Sequence, residues 1–183
     1  MSSGVADPAH VSSLRAMAHP LRLRMLSLLT GTAMSAAEVA RELGTTHANA
    51  SYHLRQMYAA RLLVVAEEES VRGGKAKRYR YDVDSPAATA PDAGSAALYY
   101  QAIAGELVRR ATARREKGVR GGSSDAELWV REEDWTAAVG SVVEAVMHLH
   151  RVALPPRTEG ALHVSVTTAL FEMDPAVPSG GAP

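Results

Sequence analysis

Cysteine is absent from this 183-residue chain. No disulfide can form, and the thiolate sites that soft metals, arsenic and redox sensing require are missing. Long apolar runs are absent too. Nothing approaches the about 18 residues that cross a bilayer, and the first residues show no charged start followed by an apolar stretch. Neither a membrane segment nor a secretory signal is expected, which leaves the cytoplasm as the expected compartment. Catalytic signatures are lacking as well. Gly73-Gly74-Lys75 and Gly121-Gly122-Ser123-Ser124 do not complete a phosphate loop or a nucleophile elbow, so no enzyme is expected.

Net charge is the last absence, and it misleads. Twenty Lys/Arg balance twenty Asp/Glu over the whole chain. Residues 10–82 nevertheless hold eleven basic and six acidic side chains, a net +5, whereas residues 83–183 hold nine and thirteen, a net −4, and Asp7 closes the balance. Such a split is expected when one part meets phosphate and the other does something else. A hydrophobic content of 46% suffices for one ordinary domain and a small companion.

The basic half carries a readable order of elements. Ser35-Ala36-Ala37-Glu38 has the spacing of a capping box, in which a hydroxyl and a carboxylate satisfy the unpaired N–H groups of a helix start. Val39, Ala40 and Leu43 recur at helical spacing, and Gly44 supplies the left-handed residue that ends the helix. A second helix follows, capped by Thr45 or Thr46. Ala50, His53, Leu54 and Met57 fall on its core side, while Ala48, Ser51, Tyr52 and Arg55, flanked by His47 and Asn49, form the opposite arc. The run from Val64, the Gly73-Gly74 turn and Tyr79-Arg80-Tyr81 then spell a two-stranded ribbon. Arg72, Lys75, Lys77, Arg78 and Arg80 crowd its tip and return strand, a density suited to phosphate oxygens. Helix, turn, helix and basic ribbon in this order imply a reader of duplex DNA.

The stretch Leu14-Arg15-Ala16-Met17-Ala18-His19-Pro20-Leu21-Arg22-Leu23-Arg24-Met25-Leu26 resembles the opening of ArsR-type winged-helix transcription factors. Ser51-Tyr52-His53-Leu54-Arg55-Gln56-Met57 resembles their recognition helix, and the likeness runs from about Leu14 to Asp82. Arg61-Leu62-Leu63 departs from it, because such proteins often carry a glycine there; either Arg61 takes the turn or the helix runs longer. The resemblance implies a homodimer that sets two recognition helices in successive major grooves of a roughly palindromic operator, with the wings on flanking backbone. Arg55 then offers a bidentate fork to guanine, Asn49 pairs with adenine, and Tyr52 reaches a phosphate or a thymine methyl. His47 and Ser51 complete the arc. Arg72, Lys75, Lys77 and Arg78 are expected on phosphates, as are Thr46 and the free N–H groups of the recognition helix. A winged helix that binds protein or RNA instead is the alternative, since the scaffold does not dictate its partner.

Proteins of this resemblance often sense metals, which directs attention to the seven histidines. His53 lies on the core side of its helix and His19 precedes Pro20 at a helix boundary, both structural positions. His148 and His150 are two apart, about 200° around a helix, whereas shared coordination wants a spacing of three or four. No metal and no cofactor is expected, with an inter-subunit His/carboxylate site left open.

The fold class that results is mainly α with a β-wing: a winged helix-turn-helix domain, a dimerisation helix and a small α/β appendage. Residues 1–9 are expected to be disordered, 10–84 to form the DNA-binding domain and 85–94 a linker. The helix at 95–118 carries Leu98, Tyr99, Ala102, Ile103 and Leu107 as an apolar stripe, which packs on its two-fold mate or within its own subunit. Residues 125–172 read as strand, helix and strand. Leu128-Trp129-Val130 forms the first, Glu132 to Arg151 the helix with a core stripe of Trp135, Val139, Val142, Val146 and Leu149, and Leu162 to Phe171 the last. Trp129, Trp135 and Phe171 either pack or wall a pocket for an unidentified small-molecule effector. Residues 173–183 are expected to be a disordered tail.

Overall fold

Pro20 opens the first helix, α1 (Pro20–Gly31), at the position where its missing N–H costs nothing. His19 caps that helix, its Nδ1 accepting the Leu21 N–H at 3.2 Å. A computed structural model describes residues 17–71, 74–83, 93–114 and 121–174. After α1 come β1 (Met34–Ser35), α2 (Ala36–Leu43), α3 (His47–Ala59), β2 (Leu63–Val71) and β3 (Gly74–Tyr81). Two 20-residue helices follow, α4 (Ala93–Thr112) and α5 (Glu132–Arg151).

The capping box is formed: the Ser35 N–H donates to Glu38 Oε2 at 2.7 Å, and the Glu38 N–H donates back to Ser35 Oγ at 3.4 Å. Gly44 ends α2 at φ 63°, ψ 35°, a left-handed conformation that a Cβ would disfavour. Thr46, rather than Thr45, caps α3 by accepting the Asn49 N–H at 3.2 Å. Arg61 takes the turn beyond α3 at φ 58°, standing where a glycine would be unstrained.

The sheet has the order β1-β3-β2, antiparallel throughout. Met34 faces Tyr79 on one side of β3 and Val65 faces it on the other, with a one-residue register shift between Val65 and Glu67. Helices and sheet meet in a core of Met25, Leu29, Val39, Leu54, Met57 and Leu62, all fully buried. Burial of each such side chain contributes roughly 1.5–3 kcal/mol. The domain is thus a helix-turn-helix with a three-stranded wing, and its core fixes the inward face of α3.

Helix α4 departs from the expected bounds. It begins at Ala93, inside the expected linker, and is helical to Thr112, while residues 115–120 lie outside the described residues. Its stripe divides: Ala102 is buried and Tyr99 and Ile103 partly covered, whereas Leu98, Leu107 and Val108 remain exposed. Glu106 anchors the helix to α1 through Arg24, 2.8 Å away. The expected disordered ends and most of the linker, residues 1–16, 84–92 and 175–183, lie outside the described residues.

Helix α5 has the expected bounds, but the two strands around it do not form. Residues 128–130 and 162–171 make no ladder, because a period-two pattern fixes which side chains share a face and not whether another strand lies beside them. The α5 stripe is not a core either; it is half-covered, and no α5 residue is buried. The chain beyond α5 returns to the helix-turn-helix half. The Leu154 carbonyl lies 2.6 Å from where a Cβ on Gly31 would stand, so only glycine admits this approach. Arg157 pairs with Glu42 of α2 at 2.7 Å.

Candidate nucleic-acid interface

Helix α3 is two-sided because its buried residues Ala50, His53, Leu54 and Met57 lock its orientation. The arc turned outward holds Thr46, His47, Asn49, Tyr52 and Arg55, all exposed, with Ser51 at its edge. Gln56 is exposed beside them. At 100° per residue it falls between Tyr52 and Asn49, so the helical wheel that places those two on the arc also places Gln56 there. Two arc residues are engaged locally: Thr46 Oγ1 caps the helix, and Asn49 Nδ2 donates to Thr45 Oγ1 at 2.9 Å.

Behind the arc sits a histidine pair. The His53 and His19 rings are 4.8 Å apart, the Tyr52 ring meets His53 edge-on at 5.3 Å, and Arg22 Nε donates to His53 Nδ1 at 3.1 Å. A nitrogen that accepts carries no proton, so His53 is neutral here. Burial, then the neighbouring His19 and Arg22, pulls the His53 pKa below its usual 6.5; burial and Arg22 do the same to His19. A lowered pKa means that the unfolded chain takes up protons first on acidification. The stability these groups supply is complete above pH 6.5 and is lost as pH falls through their folded values. Urea midpoints should therefore drop between about pH 7 and pH 5, and His53→Gln should flatten that slope. A slope unchanged in the variant refutes this role for His53.

The wing is less uniformly basic than its cations suggest. Glu67, Glu68 and Glu69 on β2 face Arg78, Lys77 and Ala76 on β3. Lys75 lies 3.4 Å from Glu68, and Lys77 stands over the Tyr58 ring at 5.9 Å, both side chains exposed. Arg80, also exposed, joins them as a further cation of the ladder. Arg72 lies outside the described residues.

Arg78, one of the cations expected on phosphate, turns its guanidinium inward, to Glu38 at 2.9 Å and to the Ala33 carbonyl at 2.7 Å. Burial alone would push the Glu38 carboxyl up; hydrogen bonds from Ser35 and Arg78, with the Arg78 charge, more than offset this and hold it below its usual 4.5. Arg78 thus ties β3 to the start of α2. Replacing Arg78 with alanine should lower stability by about 1.5 kcal/mol, the lower end for bonds to charged groups, whereas Lys77→Ala should leave the denaturation midpoint unchanged.

The remaining candidates do not assemble. His148 is exposed, and the half-buried His150 sits 6.5 Å from the Tyr81 ring. Among the described residues no cluster of three His, Cys, Asp or Glu could hold a metal ion. Trp129 is 88% exposed, and Phe171 packs on Tyr100 at 5.6 Å, so Trp129, Trp135 and Phe171 do not enclose a pocket.

A locked two-helix unit with a polar outer arc, followed by an antiparallel wing, defines a helix-turn-helix DNA-binding domain. Residues 17–66 match a family model described as a helix-turn-helix domain, which covers α1 to α3 and the first residues of β2. This portion is a DNA-binding regulatory domain. No curated protein matches the chain. Among the described residues no helix is long and apolar enough to cross a membrane.

Proposed function

We propose that this protein is a sequence-specific transcriptional regulator of the ArsR type, binding duplex DNA as a homodimer on a roughly palindromic operator. The observation that carries the reading is the exposed arc of α3, held rigidly by its buried face and flanked by a wing. Arg55, Asn49 and Gln56 supply hydrogen bonds to base edges, and the free N–H groups at the start of α3 meet a phosphate. Lys75, Lys77, Arg80 and Arg72 supply charge to the backbone. A two-fold dimer spaces the half-sites about 10 base pairs apart, or a small multiple of that. The protein acts by occupancy, so no bond is made or broken.

A gel shift with salt titration tests this reading against random duplex and single-stranded RNA. A preferred duplex bound tightly at moderate ionic strength is the expected result, and stronger RNA binding overturns it. In the same assay Lys77→Ala should weaken all duplexes alike and lower the slope of log affinity against log salt by about one ion. Sequence-selective loss would instead make Lys77 a base reader.

A further inference from the structure

Helix α5 is not completed by its own subunit. Between Ala137 and Met147 only Ser141 and Glu144 are polar, and a helix apolar nearly all round is stable only when covered on more than one side. Here α1 lies against it on one side, and no α5 residue is buried. Further along the chain, residues 162–173 run without turn or bend and make no backbone hydrogen bond among the described residues. Leu162, Val164 and Val166 alternate with His163 and Ser165 along this run, and all three apolar side chains are exposed. An alternating segment with unpaired N–H and C=O groups is a strand without its neighbour.

Two observations identify the neighbour. The first is size. Thirteen large apolar side chains between Leu128 and Met173 are more than two-fifths exposed. At on the order of 80 Å² apiece they present roughly 1,000 Å² in all, enough for the about 800 Å² per partner of a specific interface. The second is charge. Helix α5 carries Glu132, Glu133 and Asp134 in its first turn, the last two paired with Arg131, and Arg151 in its last turn. An antiparallel copy related by a two-fold axis sets Glu132 of each helix towards Arg151 of the other, both pairs being made by one symmetric contact.

We propose that a second copy of this chain covers α5 antiparallel and pairs with residues 162–171, making them a strand of a sheet shared between subunits. This deepens the homodimer reading above and rests on it for the partner. The C-terminal half would then hold the dimer, and with it the spacing of the two α3 helices.

Sedimentation velocity and amide hydrogen exchange on the full chain test the proposal. The expected result is a dimer in which peptides covering 162–171 exchange slowly, although the lone subunit leaves them unpaired. Val143→Asp combined with Leu149→Asp, both exposed in the single subunit, should raise the dimer dissociation constant about a hundredfold. It should also bring 162–171 to coil-like exchange, while peptides of α2 and α3 stay protected and report an intact domain. A wild-type monomer, coil-like exchange of 162–171 in a wild-type dimer, or a variant that stays dimeric would each overturn the proposal. A dimer with protected 162–171 but no duplex preference would uphold it and refute the DNA-binding reading instead.

Discussion

Replacing Arg55 by alanine should cost the protein up to about 3 kcal/mol of discrimination between its operator and random duplex, the value of one bidentate contact to guanine. Stability should hardly move. The side chain is exposed on the outer arc, arginine and alanine are both good helix formers, and surface changes of this kind usually stay within about 0.5 kcal/mol. The two effects separate cleanly because Leu54 and Met57, not Arg55, hold α3 in place. Affinity for random duplex should fall only by the share of one cation, so the ratio of the two dissociation constants is the quantity to measure. A ratio unchanged by Arg55→Ala would remove Arg55 from the reading arc and leave Asn49 and Gln56 to set sequence preference. Arg55→Lys should recover little, since a single ammonium cannot reproduce the planar two-bond fork.

The parts of this arrangement that were legible in the sequence are those decided over a few residues. Ser35 and Glu38 cap one helix start between them, Gly44 ends α2 because of its own φ, and the inward face of α3 follows from the angular spacing of Ala50, His53, Leu54 and Met57. The helix of Glu132 to Arg151 was legible for the same reason. What escaped depends on partners distant in sequence. Arg78 looks like a neighbour of Lys77 until the Met34–Tyr79 and Ser35–Arg78 pairings bring Ala33 and Glu38 beneath its guanidinium, forty residues and more away. Glu67, Glu68 and Glu69 were plain to read, but their opposition to the wing cations is a matter of register, which shifts by one residue after Val65. The segment 162–171 shows its alternation in the sequence yet forms no ladder, because pairing requires a second strand that the pattern does not specify.

Glu106 ties α1 to α4, and Glu106→Gln should destabilise the chain by about 1.5 to 3 kcal/mol, the range for hydrogen bonds to charged groups. Its side chain is 4% exposed and sits within 2.8 Å of both Arg24 on α1 and Arg109 on α4, with Arg110 at 3.9 Å. Burial alone would push its carboxyl up; the hydrogen bonds and charges of Arg109 and Arg24 outweigh this and leave it below the usual 4.5. A lowered carboxyl pKa supplies stability that is complete above 4.5 and is lost as pH falls through the folded value, so the wild-type protein should weaken in acid over that window. Glutamine neither titrates nor balances the arginines. Its variant should start lower at neutral pH and show a shallower acid limb, both measurable as urea midpoints across pH. The consequence for function is geometric: Arg24 and Glu106 bind α4 to the helix that supports α3, so loosening them should weaken operator binding while single-site contacts to phosphate persist. Equal midpoints for wild type and variant at neutral pH would show that the three arginines do no net work at Glu106, and that the α1–α4 contact rests on Ala102, Tyr99 and Ile103 alone.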